Sequence, residues 1–272
     1  MTETIDTADP LRRLTRRDAT DMARGMSREA IRNLTDLYYA IQDFRIQAAG
    51  QVRSAGDTPA RGQERVYRQM EASEGDIKLV MEEWVKASRV GRWALGQVGI
   101  GPVLAAGCVA TFDPERPTVG SWWRFAGLDP TLEWRKGEKR PYSASAKVLA
   151  WKIGDSFVRQ SGHEGCIYGR WYRERKLYEL ERDGNGGHAA AAADTLAAGR
   201  IRDKATVATY ETGHLPAGRL DLRARRWTAK LFLAHLHWVA WEDAHGSPPP
   251  APYAIDILRH AHLIAPPGWP CE

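Results

Sequence analysis

Apolar residues recur at helical spacing along most of this chain, and no run of alternating apolar and polar residues reads as a series of strands. Ile31, Leu34, Tyr38, Ile41, Ala48 and Val52, with Arg, Asp and Gln between them, predict an amphipathic helix with Ser27 as its N-cap. Gly56 and Pro59 interrupt it between Ser54 and Arg61. A second helix is predicted from Gln63 to Ala94 through Val66, Met70, Ile77, Val80, Met81, Trp84 and Val85. Two long helices joined by a short turn make an antiparallel hairpin. Gly99, Gly101, Pro102, Pro114, Pro117 and Pro130 then cut the chain into shorter apolar helices.

Farther on, helices are predicted over Ser143–Val158, with Val148, Leu149, Trp151, Ile153 and Phe157 inside it, and over Cys166–Leu180, His188–Gly199 and Arg226–His245. Gly184–Gly187 reads as a turn, and Gly246–Pro252 stops the last helix. The expected fold class is mostly α. Its segments are a flexible basic arm (1–26), a long N-terminal helical hairpin (27–94), a turn-rich helical region (95–160), a C-terminal helical region (161–246) and a Pro-rich tail (247–272).

With 272 residues, 43% of them hydrophobic, the chain has enough apolar mass for a real core, which argues against global disorder. Cys108, Cys166 and Cys271 are odd in number and far apart, so neither a disulfide framework nor a CxxC zinc module is indicated. The N-terminus has no apolar leader and no stretch reaches the roughly 18 apolar residues of a membrane span, so a cytoplasmic protein without membrane contact is expected.

Charge changes the picture more than composition does. The net charge is only +5, but its cations are segregated. Arg12, Arg13, Arg16 and Arg17 lie together without an acid, and Trp134–Lys152 holds Arg135, Lys136, Lys139, Arg140, Lys147 and Lys152 against Glu138 alone. Arg200–Lys230 is a third basic stretch. Such segregation suits a surface that faces polyphosphate; scattered solvated arginines are the plainer explanation. Trp122, Trp123, Trp134, Tyr142, Trp171, Tyr172 and Trp227 all lie within a few residues of an arginine or lysine, as aromatics that stack on exposed bases would. Trp122, Trp151 and Trp238 are expected in the core, while Trp134 and Trp171 fit stacking and packing equally.

One short run carries a candidate site. In Val98-Gly99-Ile100-Gly101-Pro102, two glycines flank an apolar residue between a helix ending near Leu95 and one beginning at Pro102, a favourable first helical residue. Such a turn can present backbone N–H groups to one phosphate without reading a base. Dinucleotide binding is disfavoured, because no strand precedes the turn and the third glycine of that fingerprint is missing.

Taken in order, Gly99–Ala106, Phe112-Asp113, Arg124-Phe125-Ala126-Gly127-Leu128-Asp129-Pro130 and the basic stretch from Arg135 resemble the C-terminal domain of the DEDD, bridge-RNA-guided insertion-sequence transposases. The resemblance covers residues 95–160. It implies a helix-hairpin-helix-like element followed by a basic loop and helix that grip DNA, and an origin in a phage or mobile element. Two departures stand beside it. The RuvC-like nuclease domain of that family has no counterpart in residues 1–95, and Trp134 and Arg135 occupy the places of the serine nucleophile when Gly137 is aligned with the family's last glycine. Ser143 and Ser145 lie nearby, but Ser143 reads as a helix N-cap and Ser145 as a first-turn residue.

The other candidates are weaker. Arg170, Arg173, Arg175 and Lys176 share a helix with Glu174 and Glu179, the pattern of a solvated face with i,i+4 pairs. His235 and His237 fall on different helical faces, and His163 with Cys166 lacks two further ligands for zinc. His260 and His262 carry no signature. Glu82–Glu83 and Glu242–Asp243 are adjacent pairs that diverge on a helix, unlike the converging acids of a metal-dependent nuclease. No metal, cofactor or catalytic residue is therefore assigned. The expected function is non-enzymatic DNA binding, to duplex or branched DNA with structured RNA as a second candidate ligand, through Gly99, Ile100, Gly101, Arg135, Lys136, Lys139, Arg140, Ser143 and Lys147. Self-association through the helical hairpin is part of that expectation. An active serine-type strand-transfer enzyme or nuclease, and a protein–protein accessory or inhibitor module, are the alternatives.

Overall fold

The computed structural model describes residues 13–54, 61–250 and 263–270. Arg12, the Gly56–Pro59 turn, Pro252, His260, His262 and Cys271 lie outside them. The described residues form eleven α-helices and no strand. They fall into two units: one comprises the described residues up to Leu95 together with Gly101–Asp113, the other Gly96–Ile100 and the described residues from Pro114 on. The region expected over 95–160 is thus divided, with its helix at Pro102–Thr111 in the first unit.

The first unit contains α1 (Arg16–Arg24), α2 (Arg28–Ser54), α3 (Arg61–Lys86), α4 (Arg89–Leu95) and α5 (Pro102–Thr111). Helices α2 and α3 form the expected antiparallel pair, since Trp84 Nε1 donates to the Met26 carbonyl at 3.0 Å while Tyr38 and Gln42 meet Glu74 farther along. Ser27 accepts from the Ala30 N–H at 3.1 Å, as an N-cap does. Helix α5 buries Val103, Ala105, Ala106, Cys108 and Ala110, the pattern of a helix that is apolar all round and surrounded by others. Its C-terminal carbonyls, at Ala110 and Phe112, accept from the Arg28 guanidinium.

Two expectations fail here. The arm expected over 1–26 contains α1, which begins with a capping box: Thr15 Oγ accepts from the Asp18 N–H and the Asp18 carboxylate accepts from the Thr15 N–H. Ala19 and Ala23 of α1 pack with Val80 of α3. The single helix expected from Gln63 to Ala94 is two, because the chain turns back at Ala87-Ser88. Gly91 permits that turn, since a Cβ there would lie 1.9 Å from the Val85 carbonyl oxygen.

The second unit contains α6 (Val119–Phe125), α7 (Ala144–Arg159), α8 (Ile167–Gly184), α9 (Ala189–Ala197), α10 (Lys204–Glu211) and α11 (Ala217–His245). Its core joins α7, α8 and α11. Phe157 stacks on Tyr168 with centroids 4.6 Å apart, and Phe232 meets both edge-on. His235 and His237 are buried and satisfied rather than free. His235 lies 2.8 Å from the Tyr168 hydroxyl through Nδ1 and 2.8 Å from the Ile264 carbonyl through Nε2, so Nε2 carries the proton and Nδ1 accepts. His237 reaches the Arg116 carbonyl at 2.7 Å.

Glu179, 1% exposed, is the polar hub of this unit rather than part of a solvated face. It accepts from Arg175, from His188 at 2.9 Å and from Arg223 at 2.9 Å. Burial pushes its carboxyl pKa up, and the hydrogen bonds from Arg223 and Arg175 override that and hold it below the ordinary value. Helix α11 starts well before the expected Arg226, and α10, with Asp203 as its N-cap, had no counterpart in the expectation.

Candidate nucleic-acid interface

The basic loop is built on α6 and α7. Helix α6 ends in a Schellman-type turn: Gly127 is left-handed at φ +62°, and the Leu128 N–H donates to the Trp123 carbonyl at 2.8 Å. A Cβ at Gly127 would meet the Tyr142 ring at 2.9 Å, so this glycine is needed for both conformation and space. Asp129 then ties the chain by accepting from the N–H and hydroxyl of Thr131, at 2.9 and 2.8 Å.

Residues 135–138 form a β-turn, with the Glu138 N–H donating to the Arg135 carbonyl at 3.1 Å and Gly137 at φ +100° in its third position. Trp134 braces the turn by donating to the Glu138 carbonyl at 2.9 Å, and the Arg140 guanidinium lies over its ring at 5.5 Å. The loop rejoins α7 where the Ser143 N–H donates to the Phe125 carbonyl at 2.9 Å. Ser143 Oγ accepts from the Ala146 N–H at 3.2 Å, the N-cap role expected of it, and lies 3.0 Å from Ser145 Oγ.

Arg135, Lys136, Lys139, Arg140 and Lys147 are all exposed. None forms an ion pair among the described residues. The Glu138 carboxylate accepts from the Arg135 backbone N–H rather than from a cationic side chain. Lys147 sits over the Tyr142 ring at 4.3 Å.

The Gly99 turn is at the other end of α7. Ile100 donates to the Gln97 carbonyl at 2.9 Å, closing a β-turn with Gly99 at φ +103°. The Gly99 carbonyl accepts from Ser156, and a Cβ on Gly99 would lie 3.0 Å from the Phe157 ring. Ile100 is 4% exposed. Packing therefore accounts for Gly99 and Ile100. Gly101, in the other unit, is exposed and is the N-cap of α5, with Pro102 first in the helix as expected. Ser156 and Ser143 are separated by ~20 Å along α7 at a rise of about 1.5 Å per residue. The Gly99 turn and the basic loop are not brought together.

What the structure does place beside Lys147 and the first residues of the loop is the third basic stretch. Gly154 lets α7 and α11 approach, because any Cβ there would lie 3.1 Å from the Arg225 carbonyl oxygen. Between these helices and residues 127–132 lies a cleft of about 300 Å³ that Lys147, Arg225 and Arg226 line together with Trp151 and the single acid Asp129. Trp151, expected in the core, is 53% exposed. The buried face of α7 runs through Leu149, Ile153 and Phe157, four residues apart, which leaves Trp151 on the opposite side.

The cations of α11 differ in how they are held. Arg225 is paired with Asp221 at 2.6 Å and Asp155 at 3.0 Å. Arg226 forms no ion pair among the described residues; partial burial lowers its pKa, and the charges of Arg223 and Arg219 lower it further. Lys230 lies over the Trp123 ring at 4.1 Å, and burial likewise lowers its pKa.

No protein-family model matches this chain, no curated protein is significantly similar to it, and no solved structure matches it. The reading of the site therefore rests on its own geometry. No described helix is long and apolar enough to cross a membrane, and no group of three metal-ligating side chains converges among the described residues. His163 accepts from the Gly165 N–H, and Cys166 donates to the Val98 carbonyl while accepting from the Gly169 N–H. Both are held by backbone. Arg226 and Trp151 were absent from the expected site, although the sequence carried a signal for each: the third basic stretch for one, the helical phase of Trp151 for the other.

Proposed function

We propose that the second unit binds nucleic acid, DNA in the first instance, by its backbone, with Arg135, Lys136, Lys139, Arg140, Lys147 and Arg226 as the phosphate-contacting groups. The observation that carries this reading is that these six cations have no carboxylate partner among the described residues, although carboxylates pair many other arginines. An unneutralised basic loop, leading into a helix whose Lys147 shares a cleft with an unneutralised arginine, is suited to a polyanion, and each phosphate neutralised releases a condensed counterion. The resemblance to the DNA-gripping region of insertion-sequence transposases points the same way. Binding of this kind positions a duplex without specifying bases. It needs no catalysis, and Ser143, occupied as a helix cap, is not assigned a nucleophilic role.

The test is fluorescence anisotropy of labelled duplex, four-way junction, single strand and structured RNA across a salt series. Six engaged cations predict a slope of log K against log salt of about −5 on B-DNA. A flat salt dependence, or no binding to any ligand at low salt, would overturn the reading.

A further inference from the structure

Arg226 and Leu222 wall two neighbouring cavities. The first is the cleft between α7 and α11, whose apolar side is Leu128, Pro130, Leu132 and the exposed face of Trp151. The second, about 140 Å³, is lined by Arg219, Arg223 and Arg226 with Ala191 and Thr195 of α9. The two differ in chemistry. One offers an indole and aliphatic walls with cations at its edge. The other is an arginine pocket in which Arg223 is paired with Glu179 at 2.9 Å and Arg219 donates to the Tyr210 hydroxyl at 3.2 Å, while Arg226 has no acid partner among the described residues. Glu179 also serves Arg175, so the acid reaching this pocket is already shared.

From this juxtaposition, and resting on the nucleic-acid reading above, we infer that the paired cavities take one unpaired nucleotide of a bound strand, its base against Trp151 in the cleft and its phosphate at Arg219 and Arg226. Base and phosphate of one nucleotide are adjacent groups of opposite character, one flat and apolar-faced, one anionic, as the two cavities are. A base stacks on an aromatic ring whatever its identity. A nucleotide that is already unpaired enters at the least cost, because no base pair has to be broken first. The preferred ligand is therefore a duplex carrying a bulged or flap nucleotide, rather than a perfect one.

Four ligands separate the possibilities: a perfect duplex, the same duplex with one bulged nucleotide, the same bulge made abasic, and a free mononucleotide. The bulged duplex is expected to bind at least about tenfold tighter than the perfect one, given the strength of base–aromatic stacking, and the abasic bulge to lose that advantage. Trp151→Ala, at an exposed position, is expected to abolish the preference while leaving affinity for perfect duplex unchanged, and Trp151→Phe to keep part of it. Arg135→Ala with Lys136→Ala is expected to weaken both duplexes alike. Equal affinity for perfect and bulged duplexes, with the salt slope intact, overturns the nucleotide inference and leaves the backbone-binding reading standing. Absence of binding to every duplex overturns both. A mononucleotide that binds as tightly as the bulged duplex assigns the cavities to free nucleotides and overturns the strand-bound form.

Discussion

Two arginine-rich segments that look alike in the sequence reach opposite states in the fold. Arg13 and Arg16 at the start of α1 face Asp76, Glu82 and Glu83 of α3, with Arg16 at 2.6 Å from Glu83. Arg135, Lys136, Lys139 and Arg140 form no ion pair among the described residues: Arg140 lies over the Trp134 ring, and the Glu138 carboxylate accepts from the Arg135 backbone N–H. The difference lies in what each segment packs against. A helix presents its cations in a fixed register to a neighbour that can carry matching acids; a loop projecting between α6 and α7 has no such neighbour. A cation count along a chain measures potential for polyanion binding, and the fold decides which part of it is available.

The same contrast runs through α11, and its paired members give the largest expected effect. Glu179 is buried between Arg175, Arg223 and His188. Glu179→Ala leaves these groups facing an empty site, and the loss of one member of a buried ion cluster costs about 3–5 kcal/mol. Chemical denaturation at neutral pH measures it. A loss under about 1 kcal/mol, the range of an exposed ion pair, would place Glu179 with the solvated pairs and weaken the distinction between spent and available cations.

Acid should act on the second unit in the same size range. Burial holds His235 at about 4, against an ordinary value of 6.5. Below pH 6.5 the unfolded chain takes up a proton that the folded chain refuses, so stability present above that pH falls as the pH drops towards 4. The loss amounts to about 3 kcal/mol. His237, also lowered by burial, adds in the same direction. Denaturation curves at pH 7 and near pH 4 for the wild type and His235→Gln give the test: the variant should show a shallower fall, and an equal fall would remove His235 from the cause.

For the available cations the expected effect is on binding rather than on folding. Arg135→Ala with Lys136→Ala should reduce the salt slope by about 1.8 and weaken duplex binding about thirtyfold at 0.15 M salt, taking 0.9 of a counterion per phosphate contact. Stability should change by no more than about 0.5 kcal/mol, as for surface substitutions without a partner. Unchanged binding would show that the loop's exposed charge is idle.

Much of the helical architecture is readable from residue pattern. Ser27 and Ser143 cap helices as their positions indicate, Pro102 opens α5, and Gly246 closes α11 in the left-handed conformation. What is not readable has physical causes. Helix α1 hides behind its arginines, since its small apolar residues, Ala19 and Ala23, are meaningful only against α3; the Thr15–Asp18 spacing is the one local clue. The break after Lys86 depends on Gly91 lying against the Val85 carbonyl, a contact between residues whose local pattern is fully helical. At the candidate site, local turn chemistry is legible at Gly99, Gly127 and Gly137, but which turn meets which basic stretch is a matter of tertiary placement. The glycine turn and the basic loop are neighbours in the resemblance and stand at opposite ends of α7 in the fold, whereas Arg226, distant in sequence, shares a cleft with Lys147.

The smallest expected effect tests the comparison most directly. Arg16 is exposed, like the loop cations, and its pKa is raised by the hydrogen bond and charge of Glu82 and then of Glu83. To bind a phosphate it would have to leave both carboxylates, giving up two anionic partners for a single one. Arg16→Ala should therefore leave the duplex affinity and the salt slope as they are, with only a slight loss of stability from an exposed pair. If it lowers the slope by about 0.9, as loss of one phosphate contact does, then pairing within the fold does not withdraw a cation from the ligand. In that event a paired cation of the first basic segment contributes to binding as well.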